Sequence, residues 1–476
     1  MFNINVPKVE EIINSLAEKM DNIKNEFNKR DDGLKLKTFL SVFTIKISDM
    51  VNVTLEGLAN KCIEMQYGLS TFTKQALHNR LEAGSKELKK LLEETINMTI
   101  ENKVTTPQIT PVLGQFNRVL ISDSVTVSLP DALEREHKGL GGKNAKSALK
   151  IQATYDIKGR DFENVEIIDN ATSSDGSYAE EIIKRAEKND LIINDLGYYG
   201  ISGFKAIEEK GAFFISRTKS NSNFYKVENK SKKIEIKEEL KGKEKIDKEV
   251  VVKGANGEWM EVRLVGIRLP EEVYNERIRK AKIEAKKKQK ATIEKAKMNG
   301  KTITNEMTKG EVLTAEEIER LQWILIITNV GEEILGVKLV CEIYRIRWKI
   351  ELIFKTWKSY FKIDEMNNIK KPHYLNCLIY GKLIVITIMN CLYSHLFVIV
   401  FEVMGRQLSY MRFMKNFKEE LETLLRFLLN PCSGNIFLII AAISRVIKSS
   451  LIDKRKRLTT EESIALMGLN LNKAMN

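Results

Sequence analysis

The stretch from Tyr344 to Lys358 reads YRIRWKIELIFKTWK and predicts an amphipathic helix. At 100° per residue, one helix face carries an acid, two cations and a phenol within an arc roughly 60° wide: Tyr344, Arg347, Glu351 and Lys358. An adjoining apolar arc predicts packing on a core: Ile343, Ile346, Ile350, Trp357 and Phe361. A solvated face usually alternates its charges, so this grouping favours a site that holds a metal ion beside a phosphate. In that interpretation Glu351 binds the cation, and the Arg, Lys and Tyr side chains bind phosphate oxygens.

Two upstream segments each place an aspartate at the end of a predicted strand. Asp123 in RVLISDSVTV follows the apolar run from Val119, and Asp195 in DLIINDLGYYG follows the run from Leu191. Ligands and metals bind at the carboxyl ends of strands in open α/β sheets. For either aspartate alone, capping of the following turn is the simpler interpretation. That alternative weakens because three acids recur in a compatible order.

Together these residues resemble the DDE transposases of bacterial insertion sequences, in the branch called insertion-sequence family four. That branch is marked by the spacing Tyr, two residues, Arg, three residues, Glu, six residues, Lys, which the stretch 344–358 matches without a gap. The resemblance covers about residues 114 to 370. It implies that Asp123, Asp195 and Glu351 are catalytic and hold Mg²⁺ or Mn²⁺, as two ions. It also implies that DNA is nicked, passes through a hairpin and is joined to target DNA.

The resemblance further implies which side chains contact DNA. In this branch a Trp on a strand before the Glu-bearing helix stacks on a base flipped out of the element end, and Trp323 in LQWILIITN stands in that context. Tyr344, Arg347 and Lys358 would bind the nearby phosphate. The implied partners are double-stranded DNA, as terminal inverted repeats and as target, and a second copy of the chain in a synaptic homodimer.

Composition fits a nucleic-acid partner without proving one. The chain has 476 residues, 43% of them hydrophobic, which is enough for roughly three domains. A net charge of +13 and a pI of about 9.2 suit a phosphate-rich partner, although ribosomal or membrane-surface binding would suit them equally. Five Cys without a CxxC pair and only four His give no zinc spacing. The N-terminus MFNINVPKVEEII carries no signal pattern, so we expect a cytoplasmic bacterial protein, nucleoid-associated when bound.

The order of predicted elements indicates the fold class. Three strands, a helix and a fourth strand follow Asn117, with acids on the first and fourth strands. We therefore expect an α/β fold: a ribonuclease-H-like catalytic core interrupted by an insertion domain, with helical N-terminal and C-terminal regions. The predicted domains are a helical DNA-binding region at 1–113 and the first part of the core at 114–218. The insertion follows at 219–315, and the second part of the core, with the Glu-bearing helix, at 316–372. A helical tail at 373–476 would be suited to dimerisation.

Three local interpretations accompany these boundaries. Residues 55–83 resemble a helix-turn-helix, although three-helix bundles that bind no DNA look alike. The insertion predicts a strand pair around VVVKGANGEWMEVRLVGI and a Lys-rich helix at 271–298, which is either a solvated face or a nonspecific phosphate contact. Residues 383–401 have the length of a membrane span, but Asn390, Ser394 and His395 interrupt them, which favours a buried helix and no membrane.

Two other function classes stay open on the sequence. A ribonuclease-H-like nuclease or resolvase would share the three acids but would not need Trp323 or the Tyr, Arg and Lys of the signature in this arrangement. A transposase-derived DNA-binding protein without catalysis is the second alternative. All three predicted catalytic acids are present, which argues against a loss of catalysis.

Overall fold

The computed structural model divides the chain into two compact units. The first comprises Met1–Asp175 and Trp348–Ala465, and the second comprises Gly176–Arg347 and Leu466–Asn476. Structure is described for residues 33–46, 54–69, 71–105, 110–141, 146–173, 175–219, 222–300, 313–366, 369–421, 423 and 436–452, and for 11, 15, 18 and 462. Much of the predicted N-terminal region before residue 33, and the tail beyond 452 apart from 462, therefore lie outside the described residues.

Helices form the described N-terminal part of the first unit. They are α1 Leu36–Ser41, continued by a π-helical turn at Val42–Lys46, α2 Leu55–Met65, α3 Lys74–His78, α4 Leu81–Glu101 and α5 Thr110–Leu113. The predicted helix-turn-helix, residues 55–83, contains α2, α3 and the first residues of α4, so its second helix is broken at Asn79 and Arg80. Threonines cap α2 and α3. The Thr54 hydroxyl accepts from the backbone N–H of Gly57 at 3.0 Å, and that of Thr73 from the N–H of Ala76 at 3.2 Å. With only five residues, α3 is short for a recognition helix, and DNA reading by it stays a prediction.

Three antiparallel strands follow in the first unit. They are β1 Val119–Leu129, β2 Ser147–Asp156 and β3 Asp161–Ile168, in the order β3-β2-β1. Asp123 lies opposite Ala153 of β2 in the middle of β1. The expectation that Asp123 ends its strand was therefore wrong. The five residues from Val125 to Leu129 still alternate between buried and more exposed positions, so the strand continues for six residues beyond Asp123.

A larger sheet dominates the second unit. Among the described residues it has seven strands in the order β4-β5-β10-β9-β8-β6-β7: β4 Leu191–Asn194, β5 Phe213–Arg217, β6 Phe224–Tyr225, β7 Lys233–Ile234, β8 Lys245–Lys253, β9 Trp259–Arg268 and β10 Trp323–Thr328. Among the described strands of this unit, β4 and β5 pair in parallel and the other pairs are antiparallel. The helices of this unit are α6 Asp175–Arg185, α7 Ile201–Glu209, α8 Ile236–Leu240, α9 Glu271–Met298, α10 Ala315–Leu321 and α11 Val337–Arg345. The fold class is mixed α/β.

The predicted strand pair of the insertion is present as the β8–β9 hairpin. Its turn places Gly257 at φ 85°, a conformation that favours glycine, and the Gly254 N–H donates to the Glu258 carbonyl at 2.8 Å. β9 also pairs with β10 from Trp323 to Thr328, so the insertion's strands extend the same sheet. The basic helix α9 spans the predicted residues.

The helix predicted from Tyr344 to Lys358 is interrupted. α11 ends at Arg345, and α12 runs from Trp348 to Phe361. At the break, the N–H groups of Ile346 and Arg347 bond to carbonyls three residues back rather than four, at 2.9 and 3.2 Å. The spacing of 100° per residue therefore does not apply across residues 346 and 347, and the four signature side chains do not share one helix face. Tyr344 lies on α11, Arg347 in the turn, and Glu351 and Lys358 on α12.

A long apolar helix completes the first unit with two shorter ones: α13 Pro372–Met404, α14 Tyr410–Lys418 and α15 Ile436–Ser450. α13 is apolar and long enough to cross a membrane, yet 89% of its most apolar 18-residue window is buried, which agrees with the interpretation as a buried helix. It packs along α4. A Cβ at Gly381 would lie 1.6 Å from the Phe43 carbonyl oxygen, so only glycine permits this close approach.

Candidate active site

Asp195 directly follows β4, as the sequence predicted. Because β4 and β5 are parallel and Asn194 pairs with Ser216, Asp195 and Arg217 come at the same carboxyl end of the two strands. Asp195 precedes a 3₁₀ turn at Leu196–Tyr198, but its side chain makes no capping hydrogen bond there. The turn-capping interpretation therefore does not account for this aspartate, whose side chain is 43% exposed.

Arg347 and Tyr344 lie near Asp195 within the second unit. The Arg347 Nε is 3.7 Å from the Asp195 Oδ1, and its guanidinium carbon is 6.0 Å from the centre of the Tyr344 ring. Burial raises the pKa of the Tyr344 hydroxyl, while Arg347 acts in the opposite direction. The hydroxyl therefore keeps its proton at neutral pH and can donate it in a hydrogen bond.

Three side chains that the sequence did not single out fix the loop between β10 and α11. The Asn329 amide oxygen accepts from the Phe214 N–H at 2.9 Å, and its nitrogen donates to the Ala212 carbonyl at 3.0 Å. The Thr328 hydroxyl donates to the Phe214 carbonyl at 2.6 Å. The third side chain is Arg263, whose Nη1 donates to two loop carbonyls, at 3.1 and 2.7 Å: Val330 and Leu335. The helix that ends at Arg345, next to Tyr344, therefore starts from an anchored loop.

Trp323 begins β10 opposite Arg268 and is 2% exposed. Its Nε1 is buried, with no hydrogen-bond partner among the described residues. Trp323 is one of the residues that line a cavity of about 460 Å³, together with Arg217 and residues of α9. At 2% exposure, its ring offers almost no open surface on which a base could stack.

Asp123, Glu351 and Lys358 belong to the first unit. α12 packs against β1, so the helix that carries Glu351 contacts the strand that carries Asp123. The Asp123 Oδ1 accepts from the N–H of Ser124 at 2.8 Å. Glu351 is half-buried in the first turn of α12, and the exposed Lys358 is seven residues further on, on the same side of the helix.

The comparisons with known proteins agree on one class. The family model described as "Transposase DDE domain" matches residues 114–388, which is more than half of the chain. The chain belongs to this DDE transposase family. It is an enzyme of the transposase type.

The relatives of this transposase are themselves transposases for insertion sequence elements. The chain is 27% identical over 408 residues to the transposase for insertion sequence element IS1151 of Clostridium perfringens, covering 82% of this chain and 81% of the relative. It is 26% identical over 395 residues to the transposase for IS231B of Bacillus thuringiensis subsp. berliner, covering 79% and 76%. A third relative, the transposase for IS231F of Bacillus thuringiensis subsp. israelensis, is 28% identical over 295 residues, covering 58% and 56%.

The transposase's predicted site residues divide between the two units. One unit holds Asp123, Glu351 and Lys358, and the other holds the remaining four: Asp195, Trp323, Tyr344 and Arg347. In the part of the chain that the structure describes, no three His, Cys, Asp or Glu side chains gather closely enough to hold a metal ion. The donor chemistry nevertheless suits a hard divalent cation, because all three predicted ligands are half-buried carboxylates.

Proposed function

We propose that this transposase cuts the ends of its insertion sequence and joins them to target DNA by a DDE cut-and-paste reaction. The observation that carries the proposal is Asp195: a half-exposed carboxylate at the carboxyl end of a parallel strand, without a capping role and beside the signature arginine. Membership of the family supports the reaction class. A ribonuclease-H-like catalytic core is part of the same proposal, supported by the antiparallel β1–β3 and the parallel β4–β5 pair.

Asp123, Asp195 and Glu351 are the residues that would hold two Mg²⁺ or Mn²⁺ ions. When bound, such ions would supply charge to activate the attacking oxygen and to stabilise the leaving oxygen. The carboxylates' own contribution is to hold that charge in place at half-buried positions. A carboxamide in place of any one of them removes a negative charge while keeping the side chain's size.

The proposed reaction proceeds through phosphodiester substitutions at one site. Water attacks a phosphorus at the element end, the P–O3′ bond breaks, and the departing 3′ oxygen takes up a proton. The freed 3′ hydroxyl then attacks the opposite strand, which releases the flanking DNA and leaves a hairpin. A second water opens the hairpin, and the regenerated 3′ hydroxyl attacks target DNA. Each step forms one P–O bond and breaks one.

DNA binding would position these steps. Tyr344, Arg347 and Lys358 would donate hydrogen bonds to phosphate oxygens near the scissile bond, and Trp323 would stack on an unpaired base. Base stacking of about 1–3 kcal/mol would offset an unstacking cost of a few kcal/mol. We assign the partners as the terminal inverted repeats, target DNA and a second copy of the chain in the synaptic complex, in the bacterial cytoplasm.

The proposed domains keep their predicted roles. Residues 1–113 would contact DNA, 114–218 and 316–372 would form the catalytic core around the insertion 219–315, and 373–476 would support dimerisation.

The decisive test is a cleavage and joining assay with Mg²⁺ and a labelled duplex that carries an element end and its flank. Wild type should give nicked, hairpin and joined products. Glu351→Gln should give none of them while still binding the end. Glu365→Gln is the matched control, because Glu365 is an exposed glutamate of the same unit, ion-paired to Lys362 at 2.9 Å.

Three outcomes would contradict the proposal. Full cleavage by Glu351→Gln would contradict the proposed role of Glu351 as a metal-holding catalytic residue. Nicking by wild type without hairpin or joined product would favour a ribonuclease-H-like nuclease without strand transfer. Metal-independent binding as the sole activity would favour an inactive DNA-binding protein derived from a transposase.

A further inference from the structure

Trp357 is the largest buried side chain of α12, the helix that carries Glu351. It lies six residues after Glu351, which is about 9 Å along the helix axis and about 120° around it. The two side chains belong to one rigid helix, so a rotation of α12 that moves the indole moves the carboxylate as well. The contacts of Trp357 therefore bear on where Glu351 points.

Two neighbouring elements contact the half of α12 that contains Trp357. The ring centre of Trp357 lies 5.6 Å from that of Phe162 on β3. α14 packs against α12, and Tyr410 in the first turn of α14 is buried. At the other end of α14, the Lys418 Nζ donates to the Tyr360 carbonyl of α12 at 2.9 Å. β3 and α14 together therefore enclose this part of the helix.

Two buried polar groups meet inside this aromatic packing. The Trp357 Nε1 and the Tyr410 hydroxyl are closed to solvent, and neither has a hydrogen-bond partner among the described residues. They nevertheless lie close together, since burial raises the pKa of the Tyr410 hydroxyl and the Trp357 N–H opposes that rise. An N–H donor matches a hydroxyl acceptor, and leaving either one unpaired in the interior is unfavourable. Each group is therefore the natural partner of the other.

Further buried polar groups adjoin Tyr410 on the side of β2 and β3. The Asp161 Oδ2 and the Tyr155 hydroxyl are also closed to solvent without a partner among the described residues. Burial raises the pKa of both tyrosine hydroxyls, and Asp161 adds to the rise in each. Asp161 is itself fixed to α13, because its Oδ1 accepts from the Asn390 Nδ2 at 2.7 Å. Polar groups of β2, β3, α12 and α14 thus gather in one closed region.

We propose that Trp357 and Tyr410 are positioning residues: their buried donor–acceptor contact, backed by Asp161, fixes the rotation of α12 and so holds Glu351 in place relative to Asp123 on β1. This inference rests on the proposed metal-holding function of the two acids. Such groups need to stay within about 0.5 Å and 10–20° of their working geometry. Apolar packing has no preferred direction, whereas a hydrogen bond does, so a polar contact is suited to fixing a rotation.

Metal affinity separates positioning from simple stabilisation. Mn²⁺ is titrated calorimetrically into the protein bound to an end duplex that is already nicked and ends in a dideoxynucleotide, so that no reaction adds heat. Tyr410→Phe removes one oxygen atom, and Trp357→Phe removes the N–H. Each should weaken Mn²⁺ binding about tenfold, the lower end of the effect of groups that orient metal ligands. The Mg²⁺ concentration for half-maximal cleavage of an intact end should rise by the same factor.

A double variant and a matched control complete the test. The loss of Mn²⁺ affinity in Trp357→Phe, Tyr410→Phe should not exceed the larger single loss, because neither polar group is then left unpaired. Tyr393→Phe is the control. Its ring centre lies 5.1 Å from that of Tyr410, but its hydroxyl donates to the Leu408 carbonyl at 3.2 Å, away from α12. This control should lower the melting temperature without changing the Mn²⁺ affinity.

The outcomes distinguish this inference from the proposed function. Wild-type Mn²⁺ affinity in both single variants, whatever their melting temperatures, would overturn the inference while the transposase chemistry stands. An equal loss in Tyr393→Phe, or additive losses in the double variant, would overturn it as well. If the wild-type complex binds no Mn²⁺ and Glu351→Gln cleaves as wild type does, the proposed function fails and this inference fails with it.

Discussion

The Arg347 Nε lies 3.7 Å from the Asp195 Oδ1, so a signature arginine faces a predicted catalytic aspartate within one compact unit. The distance is too long for a strong hydrogen bond, and the aspartate is 43% exposed, so the pair contributes little to stability. The proposed DNA-binding role of Arg347 is therefore tested by cleavage rather than by stability.

The first prediction concerns Arg347. Arg347→Gln should reduce cleavage of an element end by at least about tenfold, because a buried guanidinium contact to phosphate contributes about 1.5–3 kcal/mol. Arg345→Gln is the control, since Arg345 lies two residues away, is 57% exposed and pairs with Glu342 at 2.8 Å. Cleavage rates at saturating duplex measure the effect. Equal rates for Arg347→Gln and wild type would remove this residue from the site.

The second prediction concerns the salt dependence of end binding. Lys358 lies on the Glu351 side of α12, whereas Lys349, two residues before Glu351, lies on the opposite side of the same helix. Lys358→Ala should reduce the slope of log K against log salt by about 1, because one phosphate contact is lost. Lys349→Ala should leave the slope unchanged. A slope for Lys358→Ala that equals that of wild type would mean that Lys358 contacts no phosphate.

Local sequence patterns predicted several elements closely. The basic helix α9 spans Glu271–Met298, as read from its sequence, and Asp195 follows β4 directly because an apolar β-prone run ends there. The break between Arg345 and Trp348 was not predictable from the spacing of the signature. A calculation at 100° per residue assumes that every backbone N–H bonds to the carbonyl four residues back. It therefore misses the N–H groups of Ile346 and Arg347, which bond to carbonyls three residues back.

The anchors of the site depend on contacts that are distant in sequence. Asn329 and Phe214 are 115 residues apart, and Arg263 and Val330 are 67 apart. Neither Asn329 nor Arg263 belongs to a motif, and nothing in the local pattern indicates that they meet backbone groups of other elements. The pairing of β10 with β5 brings Asn329 to Phe214, and its pairing with β9 brings Arg263 to Val330. These contacts become evident only once both pairings are known.

The third prediction tests the Arg263 anchor. Arg263 is 3% exposed and binds Asp247 through two hydrogen bonds of 2.7 and 2.6 Å. Burial lowers the pKa of Arg263, but the hydrogen bonds and charge of Asp247 outweigh it and raise the pKa. Asp247→Asn should lower the free energy of unfolding by about 3 kcal/mol, because a buried cation loses its counter-charge. Urea unfolding followed by tryptophan fluorescence measures the change.

A matched acid just before the same strand, β8, provides the control for Asp247. Glu244 pairs with Arg268 at 3.3 Å but is 81% exposed, so Glu244→Gln should change the free energy of unfolding by less than about 0.5 kcal/mol. The double variant Asp247→Asn, Arg263→Met should regain part of the loss, since no unpaired charge is then buried. A loss that is no larger for Asp247→Asn than for Glu244→Gln would refute the anchoring role.

The fourth prediction concerns a buried lysine on α13. Lys382 is 4% exposed, and its Nζ donates to the Lys362 carbonyl at 2.9 Å. Burial, aided by Lys418, lowers the pKa of Lys382 from 10.5 to about 8, against the opposing effect of Glu365 and Asp364. Below pH 8 the lysine is charged in both states, and the folded state bears the full cost of burying that charge. Between pH 8 and 10.5 the folded state releases a proton that the unfolded chain retains, so this group makes stability rise with pH.

Lys382→Met should therefore stabilise the protein at pH 7, and the gain over wild type should shrink as the pH rises. The shift corresponds to about 3 kcal/mol between the two limits, at 1.36 kcal/mol per pKa unit. Urea unfolding of both proteins at pH 7.0, 8.5 and 9.5 isolates this group, because the other titrations are common to the pair and cancel in the difference. A difference that stays constant over this range would mean that Lys382 is charged in the fold throughout, with a pKa near its ordinary value.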